Sequence, residues 1–75
     1  MDEKQLTALF NAGLLTSVVL ALNPMGKGFL LQFTAKDGKT YTLSSYRVEA
    51  RVFKTYDLAA KIAKSIGFKT MTIIL

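Results

Sequence analysis

The chain contains neither cysteine nor histidine. Without cysteine there is no disulfide to staple the fold, and no thiolate to act as nucleophile or metal ligand. Without histidine the commonest general base and the commonest metal ligand are missing as well. Carboxylates are scarce, five Asp and Glu in all. Asp2 and Glu3 stand at a terminus expected to be mobile, Asp37 in a predicted turn and Asp57 at a predicted helix start. Glu49 alone lacks a structural task, and a lone glutamate among basic residues reads as a salt-bridge partner. No nucleophile, base and orienting group can be assembled from this inventory. The expectation is a non-enzymatic protein with no catalytic residue, metal or cofactor.

Apolar runs are short. Residues 14–22 are apolar but include Thr16 and Ser17, far short of the ~20 residues of a membrane span. The opening MDEK is acidic rather than basic, so no signal peptide is read and a cytoplasmic location is expected. Nothing resembling a linker, repeat or low-complexity segment divides the chain. Its 75 residues suit one small domain, 1–75. Such a domain buries only a modest core. A hydrophobic fraction of 51% is high for that size and suggests apolar surface shared with another chain.

What the chain does have is positive charge, unevenly placed. Asp2, Glu3 and Lys4 open it at net −1, and from Asn23 onward nine Lys or Arg face Asp37, Glu49 and Asp57, giving +6 there and +5 overall. That balance favours phosphate backbones, anionic lipid or an acidic partner. Its alternative is a charge that serves solubility alone.

Organisation centres on residues 50–68, ARVFKTYDLAAKIAKSIGF, which reads as a short strand, a capped amphipathic helix and a helix stop. Thr55 is a good N-cap, and Asp57 suits the positive end of the helix dipole. Leu58, Ala59, Ile62, Ala63 and Ile66 form one apolar stripe. Gly67 and Phe68 match a Schellman stop.

Upstream, Asp2 and Gln5 predict a capping box on a first helix whose Leu6, Leu9 and Phe10 share a face. Gly13 and Leu14 predict another Schellman stop. Residues 17–22, SVVLAL, are apolar on both faces, which predicts a strand buried on both sides or covered on its second side by that helix. Pro24, Gly26 and Gly28 mark a connection. The phosphate-loop pattern is absent around Gly26-Lys27-Gly28, and a likeness of Lys27-Gly28-Phe29 to the start of an RNA-recognition signature ends at Leu30.

Residues 29–35 alternate, with Phe29, Leu31, Phe33 and Ala35 opposite Leu30, Gln32 and Thr34. Residues 39–45 alternate as well. A two-residue loop at Asp37-Gly38 would set Phe33 against Thr42 and mix apolar with polar on both faces. A three-residue loop, Lys36-Asp37-Gly38, sets Phe33 against Tyr41 and Leu31 against Leu43, and both faces sort. A type I turn with Gly38 as a left-handed bulge is therefore predicted. A strand or loop follows near residues 50–53, and residues 71–75 form a last strand that needs tying down. The fold class is α+β: a small single domain, an antiparallel sheet of 3–5 strands with two helices, in the order α-β-β-β-(β)-α-β.

The polar face of that sheet is the candidate site. Gln32, Thr34, Thr40, Thr42 and Ser44 point one way, Lys36 and Lys39 flank the hairpin tip, and Arg47 and Arg51 lie just beyond. Thr, Ser and Gln can bond base edges or phosphate oxygens, while Lys and Arg supply salt-dependent attraction. Strands can read a groove in this way. Equally, threonine is the usual residue on the wet face of any antiparallel sheet. Tyr46 and Tyr56 could stack on bases or serve as boundary residues.

From Leu20 onward the chain resembles small plasmid-encoded ParC-type partition-associated proteins. The resemblance lies in residues 22–29, LNPMGKGF, the Lys36-Asp37-Gly38-Lys39 turn with Tyr41 and Leu43, Arg51-Val52-Phe53-Lys54-Thr55, and Ile66-Gly67-Phe68. It implies a role in plasmid maintenance or segregation. The three strands followed by a helix also resemble the sheet-reading DNA-binding domains of phage integrase arms. The expected function is a non-enzymatic plasmid partition accessory that binds nucleic acid through Gln32, Thr34, Lys36, Lys39, Thr42, Arg47 and Arg51. The alternative is a protein-interaction module that dimerises or recruits a partner through Met71, Ile73 and Leu75. DNA, a partition or other plasmid-encoded protein, and a second copy are the partners these readings admit. A membrane is not among them, because too few cations oppose the stripe of the second helix.

Overall fold

The computed structural model describes residues 1–24, 26–44 and 51–74. The elements are α1 (Glu3–Asn11), β1 (Leu15–Leu22), β2 (Phe29–Ala35), β3 (Thr40–Thr42), β4 (Val52–Phe53), α2 (Tyr56–Ile66) and β5 (Thr72–Ile74). The chain is an α+β fold in the order expected.

Helix ends follow their capping residues. Asp2 accepts from the Gln5 N–H at 2.8 Å, and the Gln5 side chain accepts from the Asp2 N–H at 3.0 Å, which closes the predicted capping box. Glu3, expected at a mobile terminus, instead accepts at 3.2 Å from the Ser65 hydroxyl and links the two helices. At the other end of α1, Leu14 N–H donates to the Leu9 carbonyl at 3.0 Å and Gly13 N–H to Phe10 at 2.9 Å. These are the two bonds of a Schellman stop, with Gly13 at φ 75°.

In α2 the Thr55 hydroxyl accepts from Leu58 N–H at 3.3 Å, and Phe68 N–H reaches back to Ala63 at 3.0 Å. Thr55→Ala is expected to cost about 1 kcal/mol, as N-cap removals do. Chemical denaturation followed by circular dichroism would read this as a lower midpoint, while an unchanged midpoint would show that the cap contributes nothing.

The hairpin forms in the sorted register. Phe33 pairs with Tyr41, Gln32 with Thr42 and Thr34 with Thr40. Gly38 N–H donates to Ala35 at 3.0 Å, Ala35 N–H donates to Lys39 at 2.8 Å, and Leu43 N–H donates to Leu31 at 2.8 Å. Gly38 stands at φ 90°, in the left-handed position that the three-residue loop requires. Asp37 accepts from Lys39 N–H at 3.0 Å, so its carboxylate serves the turn.

The sheet runs β3-β2-β1-β5, with β4 also on β2. β3 and β4 pair with different stretches of β2, on the side away from β1. The antiparallel expectation holds for β1 to β4, but β5 lies parallel to β1, making the sheet mixed. The reason is the connection. α2 carries the chain from one edge of the sheet to the other, and a helical crossover returns the next strand in the same direction.

Both helices pack on one face. Leu6 of α1 and Ala59, Ala63 and Ile66 of α2 join Val18, Leu20, Leu31, Phe33, Leu43 and Phe53 in one buried cluster. This corrects the reading of residues 17–22, which also extend back to Leu15. Val19 and Ala21 are neither fully buried nor under α1. They share the other face of the sheet with Gln32 and Leu30. The stripe of α2 is narrower than its spacing suggests, since Leu58 is 49% exposed at the rim. Of the strand or loop expected near residues 50–53, Ala50 lies outside the described residues.

Candidate nucleic-acid interface

Strand pairing fixes which side chains share the face without helices. Thr34 stands opposite Ser17 on β1 and Thr40 on β3, while Gln32 stands opposite Val19 and Thr42. The predicted trio Gln32, Thr34 and Thr42 is therefore brought together on one surface. Thr16, beside the irregularity between Leu15 and Ser17, donates its hydroxyl to the Thr34 carbonyl at 3.1 Å.

Towards the opposite end, the same face changes character. Ile74, Ala21, Leu30 and Val52 form a row across β5, β1, β2 and β4. The alternation of residues 29–35 already places Leu30 with Gln32. What the sequence does not reveal is that β5 adds an isoleucine to that row.

Of the predicted cations, Lys39 and Arg51 do not join this face. Lys36 and Lys39 are exposed at the hairpin tip, and alternation from Thr40 turns Lys39 to the side of Tyr41, where the helices lie. Arg51 stands over the ring of Phe53, 5.1 Å from its centre. Phe53 is buried and pairs with Phe29, so Arg51 belongs to the helix side and not with Gln32, Thr34 and Thr42. Arg47 lies outside the described residues, as do Tyr46 and Glu49.

A different group of cations does come together. Between β4 and α2 lies an open depression of about 300 Å³, with Arg51, Lys54 and Lys61 around it and Val52, Leu58 and Ile62 among its apolar lining. Among the described residues no carboxylate lines it. Lys64 is exposed one turn further along α2, and Lys69 follows the helix. Tyr56 packs its ring on Phe29 at 4.8 Å between centroids, which gives it a structural task at the start of α2.

The predicted interface residues divide as well. Among the described residues β5 is an edge strand, paired with β1 alone. Met71 is half-buried against the core, Ile73 is exposed, and Leu75 lies outside the described residues.

Among the described residues no polar or charged side chain is buried. None of them forms a group of three or more metal-ligating side chains, and no described helix is long and apolar enough to cross a membrane. Comparisons with protein families, curated proteins and solved structures find no match.

Proposed function

We propose that the chain is a non-enzymatic plasmid-maintenance accessory that binds nucleic acid, with the cations beside β4 and along α2 meeting the phosphates. The plasmid setting is what the resemblance of residues 22–68 implies. The supporting observation for nucleic acid is where the charge sits. From residue 51 to residue 69 the chain has Arg51, Lys54, Lys61, Lys64 and Lys69 against Asp57, five against one, or +4. All six side chains are exposed.

The Ser17–Gln32–Thr34–Thr42 surface has no formal charge and cannot supply phosphate attraction by itself. It also faces away from α2, so one straight duplex does not engage both. Electrostatic contact therefore shifts from the sheet face to the helix side, where long flexible lysines can follow a backbone without reading its sequence.

Fluorescence anisotropy of a labelled duplex, titrated with salt, tests this. The unaltered protein should bind at low salt and lose affinity steeply as salt rises. Replacing Lys54, Lys61 and Lys64 together by Gln should weaken binding and flatten the log–log slope by about 0.9 for each phosphate no longer neutralised. Replacing Gln32 and Thr42 by Ala should leave the slope unchanged. Failure of the unaltered protein to bind at low salt would remove the reading, and an unchanged slope in the triple variant would remove the assignment of these lysines.

A further inference from the structure

The two edges of the sheet differ. On one side of β2 the edge is broken into two short strands, β3 and β4, with Lys39 before the first and Arg51 and Lys54 on either side of the second. Short, interrupted, charge-flanked strands resist pairing with another chain. The opposite edge is β5, Thr72-Ile73-Ile74, with no charge, no proline and no described residue paired to its outer side. Ile73 is 41% and Ile74 54% exposed, and they project to opposite faces.

An edge of this kind asks two things of an occupant. It must be an extended strand, because only a strand satisfies a row of outward N–H and C=O groups. It must also bring apolar side chains to both faces without opposing the surrounding positive charge at close range. We infer that the occupant is a second copy of β5, paired antiparallel about a two-fold axis at Ile73. Ile73 then faces its own counterpart, and each Thr72 faces the partner's Ile74.

The chain carries +5, yet these three residues are uncharged, so two copies can approach here without opposing ions within the paired strands. The two sheets become one continuous sheet, with all four helices on the same side of it. Lys64 and Lys69 line a depression with Met71 just before β5, and the pairing brings them toward the same two lysines of the other copy. That repulsion is screened by salt, so the association grows stronger as salt rises. The sign is opposite to the one expected for nucleic-acid binding, so the inference stands or falls independently of the proposed function.

The interface is small and belongs to the weak class, so the measurement is sedimentation equilibrium of the full chain up to about 1 mM. A reversible monomer–dimer equilibrium that tightens with salt is expected. Ile73→Lys should abolish it by setting two ammonium groups opposite each other, and Ile73→Glu should do so with two carboxylates. Because Ile73 is already partly exposed, both variants should keep the parent circular dichroism spectrum. Mixing the two should restore a dimer, now weakened by salt, because the opposed charges attract. A strictly monomeric parent protein would overturn the inference. So would a dimer that survives both single substitutions, or a mixture that stays monomeric.

Discussion

Replacing Phe33 by alanine is expected to leave a large part of the population unfolded at 25 °C. Phe33 is fully buried at the middle of β2, with the ring of Phe68 centred 5.7 Å away. Phe68 in turn meets the ring of Phe10 edge-on at 4.8 Å. The chain of rings thus joins the sheet, the segment after α2, and α1. Truncating a buried phenylalanine costs about 3–5 kcal/mol, because the cavity collapses only in part. A 75-residue chain has about 4–11 kcal/mol in total at 0.05–0.15 kcal/mol per residue, and small cores fall toward the lower end. Urea unfolding followed by far-ultraviolet circular dichroism should lose most or all of its native baseline. By contrast, Leu58→Ala removes a side chain already half in water and should move the midpoint little. A Phe33→Ala protein with a full native baseline would mean that the core sits elsewhere.

The second large effect belongs to Gly28→Ala. Gly28 has φ 79°, and a Cβ placed on it would stand 2.5 Å from Val52 Cγ1 and 2.8 Å from the Phe53 carbonyl oxygen. The latter is backbone and cannot rotate away, so β4 must shift off β2. Left-handed backbone costs about 1–2 kcal/mol for a residue with a side chain, and overpacking adds about 1–3 kcal/mol. Gly38→Ala is the matched control, since Gly38 has φ 90° with nothing within 4 Å of the added carbon. The difference between the two variants in a thermal melt isolates the steric part. Equal losses would mean that β4 yields freely.

How far the sequence discloses this structure depends on what kind of pattern is local. The hairpin register is legible because only one loop length lets Phe33 meet Tyr41 and leaves Gln32 with Thr42. The caps are legible because Asp2 with Gln5, Thr55, and the pairs Gly13-Leu14 and Gly67-Phe68 act within one turn of helix. The direction of β5 is not, because Thr72-Ile73-Ile74 presents the same side chains to a parallel or an antiparallel neighbour. Only the path of α2 decides it.

The open side of β1 misleads for a related reason. Val19 and Ala21 look like core residues, yet a central strand shields small side chains with its neighbours even where no helix covers them. In the candidate site the difficulty is one of phase. Alternation groups Gln32, Thr34 and Thr42 correctly. Proximity in sequence suggests that Arg51 joins them, whereas the burial of Phe53, two residues on, commits it to the other side. The spacing of α2 shows only that its lysines lie away from the stripe. Charge counted by segment, with five cations from residue 51 to residue 69, is the signal that points to them.

The parallel pairing of β1 with β5 has a consequence for the order in which the molecule is made. As the chain leaves the ribosome, α1, β1 and the β2–β3 hairpin emerge first, and their contacts are local and quick to form. β1 then waits, one edge unpaired, until the residues of α2 have been added and Thr72–Ile74 arrive to close it. Closing a loop of that length costs more entropy than closing a hairpin, and such non-local pairing is slow. Until then the growing polypeptide displays the unpaired edge of β1. That is the interval in which a chaperone, or a neighbouring nascent chain on the same message, has access to it.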